Sequence, residues 1–204
     1  MFSIEVAPLG QVHWDVGAEV GVMQRVTPDR ASGLPLPQAG PVGELHAHVA
    51  LVPMLRLGPY VSHDISPGSA GAPDRQTTEA GLRVKLTPPL LLRPWRTWAF
   101  LGFGYARSYR PSHGVEVAAA SVPGEATEGE VGGVEGSFVD TAFGVGIGTR
   151  VRGPWMFFAE LAGRAGLVFW GAMYDRAPCA CLRDPYPGHD SFAASLSVGV
   201  SLDL

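Results

Sequence analysis

The sequence predicts an all-β fold: an eight-stranded antiparallel up-and-down barrel that turns its apolar face outward. Three observations predict it. Segment after segment alternates apolar with small or polar residues one by one. The connections between these segments alternate long and short. And the chain is apolar, with a mean hydropathy of +0.14 and only 17% charged residues, against about a quarter in ordinary soluble domains. No helix accounts for that greasiness. The longest apolar stretches, such as Trp98 to Gly104, are short and glycine-studded, far from the roughly 18 consecutive residues that a membrane helix needs. At 204 residues, 1–204 is expected to be a single domain.

Each strand is justified by its period of two. The first is expected over 12–26, where Trp14, Val16, Ala18, Val20 and Val22 share one face and Asp15, Gly17, Glu19, Gly21 and Arg25 the other. Over 43–53, Leu45, Ala47, Val49 and Leu51 oppose Glu44, His46, His48 and Ala50. Over 56–65, Leu57, Pro59 and Val61 oppose Arg56, Gly58, Tyr60, Ser62 and Asp64. Over 77–87, Ala80, Leu82, Val84 and Leu86 oppose Glu79, Gly81, Arg83, Lys85 and Thr87.

The second half repeats the pattern. Over 96–109, Ala99, Leu101, Phe103 and Tyr105 oppose Phe100, Gly102, Gly104, Ala106 and Ser108. Over 137–151, Val139, Phe143, Val145, Ile147 and Val151 oppose Asp140, Ala142, Gly144, Gly146, Gly148 and Arg150. Over 155–170, Phe157, Ala159, Leu161, Ala165, Leu167 and Phe169 oppose Glu160, Ala162, Arg164 and Gly166. The last strand, 190–204, sets Phe192, Ala194, Leu196, Val198, Val200, Leu202 and Leu204 against serines, Ala193, Gly199 and Asp203.

The connections are a Pro/Gly loop over 27–42, a tight turn near 53–56, a loop over 66–76, a short link from Pro88 to Pro94, a long segment over 111–136 containing the acidic "GEATEGEVGG", a tight turn from Arg152 to Pro154, and a loop over 171–189. All the elaboration falls at one end of a meander.

Composition decides which way the greasy face points. A water-facing barrel exterior would be rich in Lys, Glu, Gln and Thr, but here the second face is mostly Gly, Ser and Ala with sparse charges of both signs. Small residues suit the cramped inside of an eight-stranded barrel, and sparse balanced charges suit an interior where each must find a partner. The strands also have the length that spans a bilayer when tilted. A transmembrane β-barrel is therefore expected, its apolar face toward lipid. Trp14, Trp95, Trp98 and Trp155 fall at the short-turn end, and Tyr105, Tyr109, Phe138, Phe169, Trp170 and Phe192 toward the other, as two interface belts would require. No backbone group can stay unpaired in hydrocarbon, so the last strand is expected to pair with the first.

Other features exclude partners. The net charge of −4 and the single lysine, Lys85, leave no basic footprint for nucleic acid. Cys179 and Cys181 form one C-x-C. A zinc site would need two more ligands, so these are read as small loop residues or as a disulfide made in an oxidising compartment. Neither metal nor cofactor is expected. The start "MFSIEVAPLG" lacks the segments of a signal peptide, so for an exported protein that segment is expected to precede Met1.

The polar face yields the candidate site: Asp15, Glu19, Glu79, Asp140 and Glu160 against Arg83, Lys85, Arg150 and Arg164, with His46 and His48 beside them. One reading is a salt-bridge network replacing an apolar core; the other is a narrow pore for ions or small solutes. A third class is acyl chemistry, for which serine and histidine must lie close; "GHDSF" offers His189 and Ser191, and "YVSHDIS" offers His63, Asp64 and Ser66. No third member or oxyanion donor accompanies these pairs, so no catalytic residue is expected.

The chain's end carries a resemblance. "SVGVSLDL" places Ser197, Gly199, Leu202 and Leu204 in a polar, glycine, apolar, apolar pattern. It resembles the assembly signal that closes the small eight-stranded outer-membrane barrels of Gram-negative bacteria, the OmpA/OmpX-like group, with Leu204 standing where that family usually has Phe. The resemblance implies insertion by the outer-membrane assembly machinery, lipopolysaccharide and outer-membrane lipid as surroundings, short periplasmic turns and long extracellular loops. Those loops, 111–136 above all, would carry a structural, scaffolding or surface-binding role toward an envelope partner.

Overall fold

A computed structural model of the chain describes residues 13–28, 35–67, 74–88, 94–109, 135–167 and 191–204. These contain eight strands: β1 (Trp14–Pro28), β2 (Pro35–Val52), β3 (Leu55–Ser66), β4 (Arg75–Leu86), β5 (Trp95–Tyr109), β6 (Glu135–Arg152), β7 (Trp155–Leu167) and β8 (Ser191–Asp203). Each pairs antiparallel with its neighbour in sequence, and β8 pairs with β1 to close the barrel. The seam runs to the last residue. The Leu204 N–H donates to the Trp14 carbonyl at 2.8 Å, and the Trp14 N–H donates back at 2.9 Å. Closure gives every strand a partner on both sides, the condition for a sheet in an apolar medium.

The turns at one end are tight. Val52 pairs with Leu55 across Pro53 and Met54, and Arg152 pairs with Trp155 across Gly153 and Pro154. Gly153 has φ of 57°, the left-handed value a II′ hairpin turn asks of its first central residue, and proline's fixed φ suits the second.

The β1–β2 hairpin is longer than the expected 27–42 loop allows. Its ladder continues to a Pro28–Pro35 pair. Prolines lack a donor and break central strands, but the register between β2 and β3 begins only at Val42. Pro35, Pro37 and Pro41 share one parity, so their missing N–H groups lie on one side of β2; Pro35 and Pro37 lie beyond the end of β3 at Ser66, and Pro41 lies where β3 is ending. The seventh strand ends at Leu167; Phe169 and Trp170 lie outside the described residues.

The two faces separate cleanly. Outward side chains include Val20 (66% exposed), Leu45, Leu82, Phe103, Phe143, Phe157, Leu161, Leu196 and Val198. The exposed aromatics Trp14, Trp95 and Trp155 sit at the short-turn end, and Tyr105 and Phe192 toward the other. Just beyond Tyr105 an outward polar row begins, His63 paired to Thr78 and Thr78 to Arg107, with His63 Nδ1 at 2.9 Å from Thr78 Oγ1. From Trp95 to Tyr105 is about 25 Å at roughly 3.3 Å per residue and a tilt of about 40°.

Two expected belt aromatics are not in the belts. Trp98 is 3% exposed and Phe138 is also buried; both point inward. Strand parity is the reason. Trp98 alternates with outward Ala99 and Leu101, and Phe138 with outward Val139, so neither can reach the exterior without shifting its whole strand by one residue. The interior is thus less uniformly small and polar than its composition suggests. Trp98, Phe100, Ala142, Met156, Phe158 and Ala162 form a buried apolar cluster inside the barrel. Gly146 makes room for it, because a Cβ there would lie 2.2 Å from Trp98 Cε2.

Candidate functional site

The inward positions of all eight strands converge on one charged interior, arranged in levels along the barrel. At the short-turn mouth, Asp203 near the end of β8 gathers three arginines. Arg150 Nη2 donates to its Oδ2 at 2.5 Å, Arg96 Nη1 to the same oxygen at 3.1 Å, and Arg56 Nη2 to Oδ1 at 3.3 Å. Just inside, Lys85 Nζ donates to Asp15 Oδ2 at 2.9 Å, with Arg56 Nη1 3.4 Å from that oxygen. Lys85 Nζ also lies 4.2 Å from the Trp98 ring centroid.

The middle level is a cross-barrel network. Glu44 on β2 is bridged by Arg83 on β4 at 2.5 Å and by Arg164 on β7 at 3.0 Å. Arg83 also donates to Glu160 Oε2 at 3.2 Å, whose Oε1 accepts from Trp98 Nε1 at 2.7 Å. Arg164 donates to Glu79 and, at 2.9 Å, to Ser62 Oγ, and the Tyr60 hydroxyl donates to Glu79 as well. The Arg83 guanidinium stacks over Phe100 at 4.1 Å from the ring centroid. Charge buried this deeply is tolerated only with such close compensation, and Arg suits it because its planar fork serves several acceptors at once.

Toward the long-connection end the charges thin out. Arg25 Nη2 donates to Asp64 Oδ1 at 2.8 Å, and Arg75 Nη2 to Ser108 Oγ at 2.9 Å.

Of the residues expected from sequence, Asp15, Glu19, His46, His48, Glu79, Arg83, Lys85, Asp140, Glu160 and Arg164 are all buried in the interior. Arg150 departs from that group. Its side chain is 49% exposed and serves Asp203 at the mouth, because its strand is ending there and the inward face has opened onto the rim. Missing from the expected set are Glu44, Arg25, Asp64, Arg56, Asp203 and Tyr60. All six sat on the faces already read as polar. The signal was present; what the sequence lacked was the order of levels that makes Glu44 the hub.

Of the candidate acyl-transfer residues, His63, Asp64 and Ser66 do not converge. His63 points outward to Thr78 while Asp64 and Ser66 point inward, Ser66 Oγ donating to Asp64 Oδ2 at 3.4 Å. His189 lies outside the described residues, as do Cys179, Cys181 and most of the long 111–136 segment. In the terminal motif, Ser197 Oγ donates inward to Glu19 Oε2 at 2.9 Å. Gly199 lies against Phe158, where a Cβ would stand 2.4 Å from its Cζ. Leu202 is half-buried and Leu204 exposed.

No protein-family model matches the chain, and no curated protein sequence matches it. Its fold is shared with solved outer-membrane barrels. The neisserial surface protein A is similar over 94% of this chain and 97% of its own, at 10% identity and a TM-score of 0.64. A major outer membrane protein of Thermus thermophilus is similar over 95% and 99%, at 12% identity and a TM-score of 0.57. Ail, the attachment invasion locus protein of Yersinia pestis, solved in complex with the heparin analogue sucrose octasulfate, is similar over 94% and 99%, at 11% identity and a TM-score of 0.50. At such identities the likeness is one of fold.

Proposed function

We propose that this chain is an outer-membrane barrel with a structural, scaffolding or surface-binding role, that its long connections face the outside, and that it performs no catalysis. The observation that carries this reading is the filled interior. Glu44, Arg83, Arg164, Glu79 and Glu160 bridge opposite walls, and Trp98, Phe100, Met156 and Phe158 occupy the space toward the short-turn mouth. A lumen so occupied serves to hold the wall rigid rather than to pass solutes. The outward face supports residence in a bilayer, since so wide a band of exposed Val, Leu and Phe has no stable counterpart on a monomer in water. Outer-membrane lipid and lipopolysaccharide are its neighbours in this reading, and an envelope partner would meet the long connections.

Planar-bilayer recordings of the purified protein test it. No openings above background are expected from the native chain, and the Glu160→Gln, Arg164→Gln double variant reports whether breaking the network opens a path. Steady openings in the native protein would overturn the reading in favour of a narrow pore. Mass spectrometry of lipid A from cells with and without the protein tests the absence of acyl chemistry; a difference in acyl chains would refute it.

A further inference from the structure

Beside the charged network lies a group of side chains that it does not use. His46 and His48 alternate inward on β2, and Asp15 faces His48 across the β1–β2 ladder. All three are buried, His48 completely. Each offers a ligand atom, and these atoms lie within 4.8 Å of one another. Among the described residues, none of the four imidazole nitrogens has a hydrogen-bond partner, and neither does Asp15 Oδ1. A buried unpartnered polar atom costs about 1–3 kcal/mol, so a cluster of five in one place calls for an occupant. From this juxtaposition we infer that Asp15, His46 and His48 form a binding site for a divalent transition metal of the zinc class.

The chemistry of the donor set supports that choice. Two imidazoles and one carboxylate are the ligands zinc takes at about 2.0–2.2 Å in a tetrahedral shell, with water completing the fourth position. Magnesium and calcium, which prefer oxygen, are disfavoured. Tetrahedral ligands at those lengths stand about 3.3 Å apart, so small rotations of the two rings and the carboxylate close the site.

The surroundings hold the ligands in usable orientations. Asp15 Oδ2 is taken by Lys85 and Arg56, which leaves Oδ1 for a metal. His46 Nδ1 lies 3.8 Å from Glu44 Oε1, so a small ring rotation would make the outer hydrogen bond that orients a ligating histidine and turn Nε2 to the metal. Nε2 points at β1 opposite Gly17, where a Cβ would stand only 2.4 Å from it; glycine keeps that approach open. The charges also accommodate a cation. Glu19 and Glu44 face each other directly across β1 and β2, and like charges so placed repel. Arg83 and Arg164 serve Glu44, whereas Glu19 has Ser197 and, among the described residues, no cation within ion-pair distance. Lys85 and Arg56 oppose the metal from the mouth side, which favours a bound ion of modest affinity over an avid one.

The test uses the tag-free chain folded in detergent, with Zn²⁺ supplied during refolding and the excess removed by rapid desalting. Elemental analysis is expected to find about one zinc per chain, retained by a Cys179→Ser, Cys181→Ser variant and lost from a His46→Gln, His48→Gln variant. Co²⁺ in place of zinc is expected to give the intense visible bands of a tetrahedral site, absent from the same histidine variant. Should that variant not fold, Gly17→Ala keeps every ligand while pressing a methyl onto His46 Nε2, and is expected to weaken binding by at least about tenfold. Zinc retained without the histidines, or a folded native barrel that takes up none, would overturn the inference. Neither outcome bears on whether the barrel conducts.

Discussion

Glu44 and Trp98 show how differently two buried side chains of one network hold the barrel. Glu44→Gln removes the negative hub between Arg83 and Arg164. Breaking a buried ion pair costs about 3–5 kcal/mol, and the lower end applies because Arg83 keeps Glu160 and Arg164 keeps Glu79. Trp98→Phe removes one neutral donor from Glu160, whose other oxygen retains Arg83, and is expected to cost about 1–2 kcal/mol. Urea unfolding of the barrel in lipid vesicles, followed by gel migration of the folded band, checks the ranking: the Glu44 variant must unfold at clearly lower urea. Gly146→Ala is expected to destabilise by about 1–3 kcal/mol through overpacking, because its methyl would meet the indole. Combined with Trp98→Phe, the loss is expected to fall well short of additive.

At the scale of the element, the β6–β7 hairpin isolates a backbone effect. A Cβ at Gly153 would meet nothing within 4 Å, so only its φ of 57° penalises substitution. Gly153→Val is expected to cost about 1–2 kcal/mol, and Gly153→Asn much less, since Asn tolerates the left-handed region. Equal midpoints for the two variants would contradict that account. The β1–β2 hairpin shows where element boundaries stay hidden. Its prolines and glycines read as loop, yet they extend the ladder because the partner strand on their donor side is ending or has already ended. That is a property of the neighbour, invisible in the local segment.

At the scale of the whole molecule, the facing of the aromatics is the measurable consequence of closure. Trp14, Trp95 and Trp155 are exposed outside, and Trp98 is enclosed. In single-tryptophan variants folded into vesicles, bromine on the lipid chains near the headgroup is expected to quench each of the first three strongly and Trp98 little. Strong quenching of Trp98 would mean that its strand faces the other way. The same geometry explains how much of the candidate site was legible. Parity alone sends Asp15, Glu19, His46, His48, Glu79, Arg83, Lys85, Asp140, Glu160 and Arg164 to the interior. Parity also excludes Trp98 and Phe138 from the belts, a consequence that reading aromatics by their position along the strand overlooks.

The sequence by itself determined the strand count, the antiparallel order, the face that points inward and the ends that carry long connections. All of these follow from a period of two and from turn residues, which act over a few neighbours in the chain. Only the tertiary structure decided which inward residues meet. Glu44 and Arg164, or Asp15 and Lys85, are brought together by register and by the curvature of the closed sheet. Register accumulates over successive hairpins and curvature turns distant strands to face one another, so no local pattern encodes which residues meet. The register of the β1–β2 hairpin sets Asp15 beside His46 and His48, and there a strand pattern with no metal motif in it yields the donor set of a metal site.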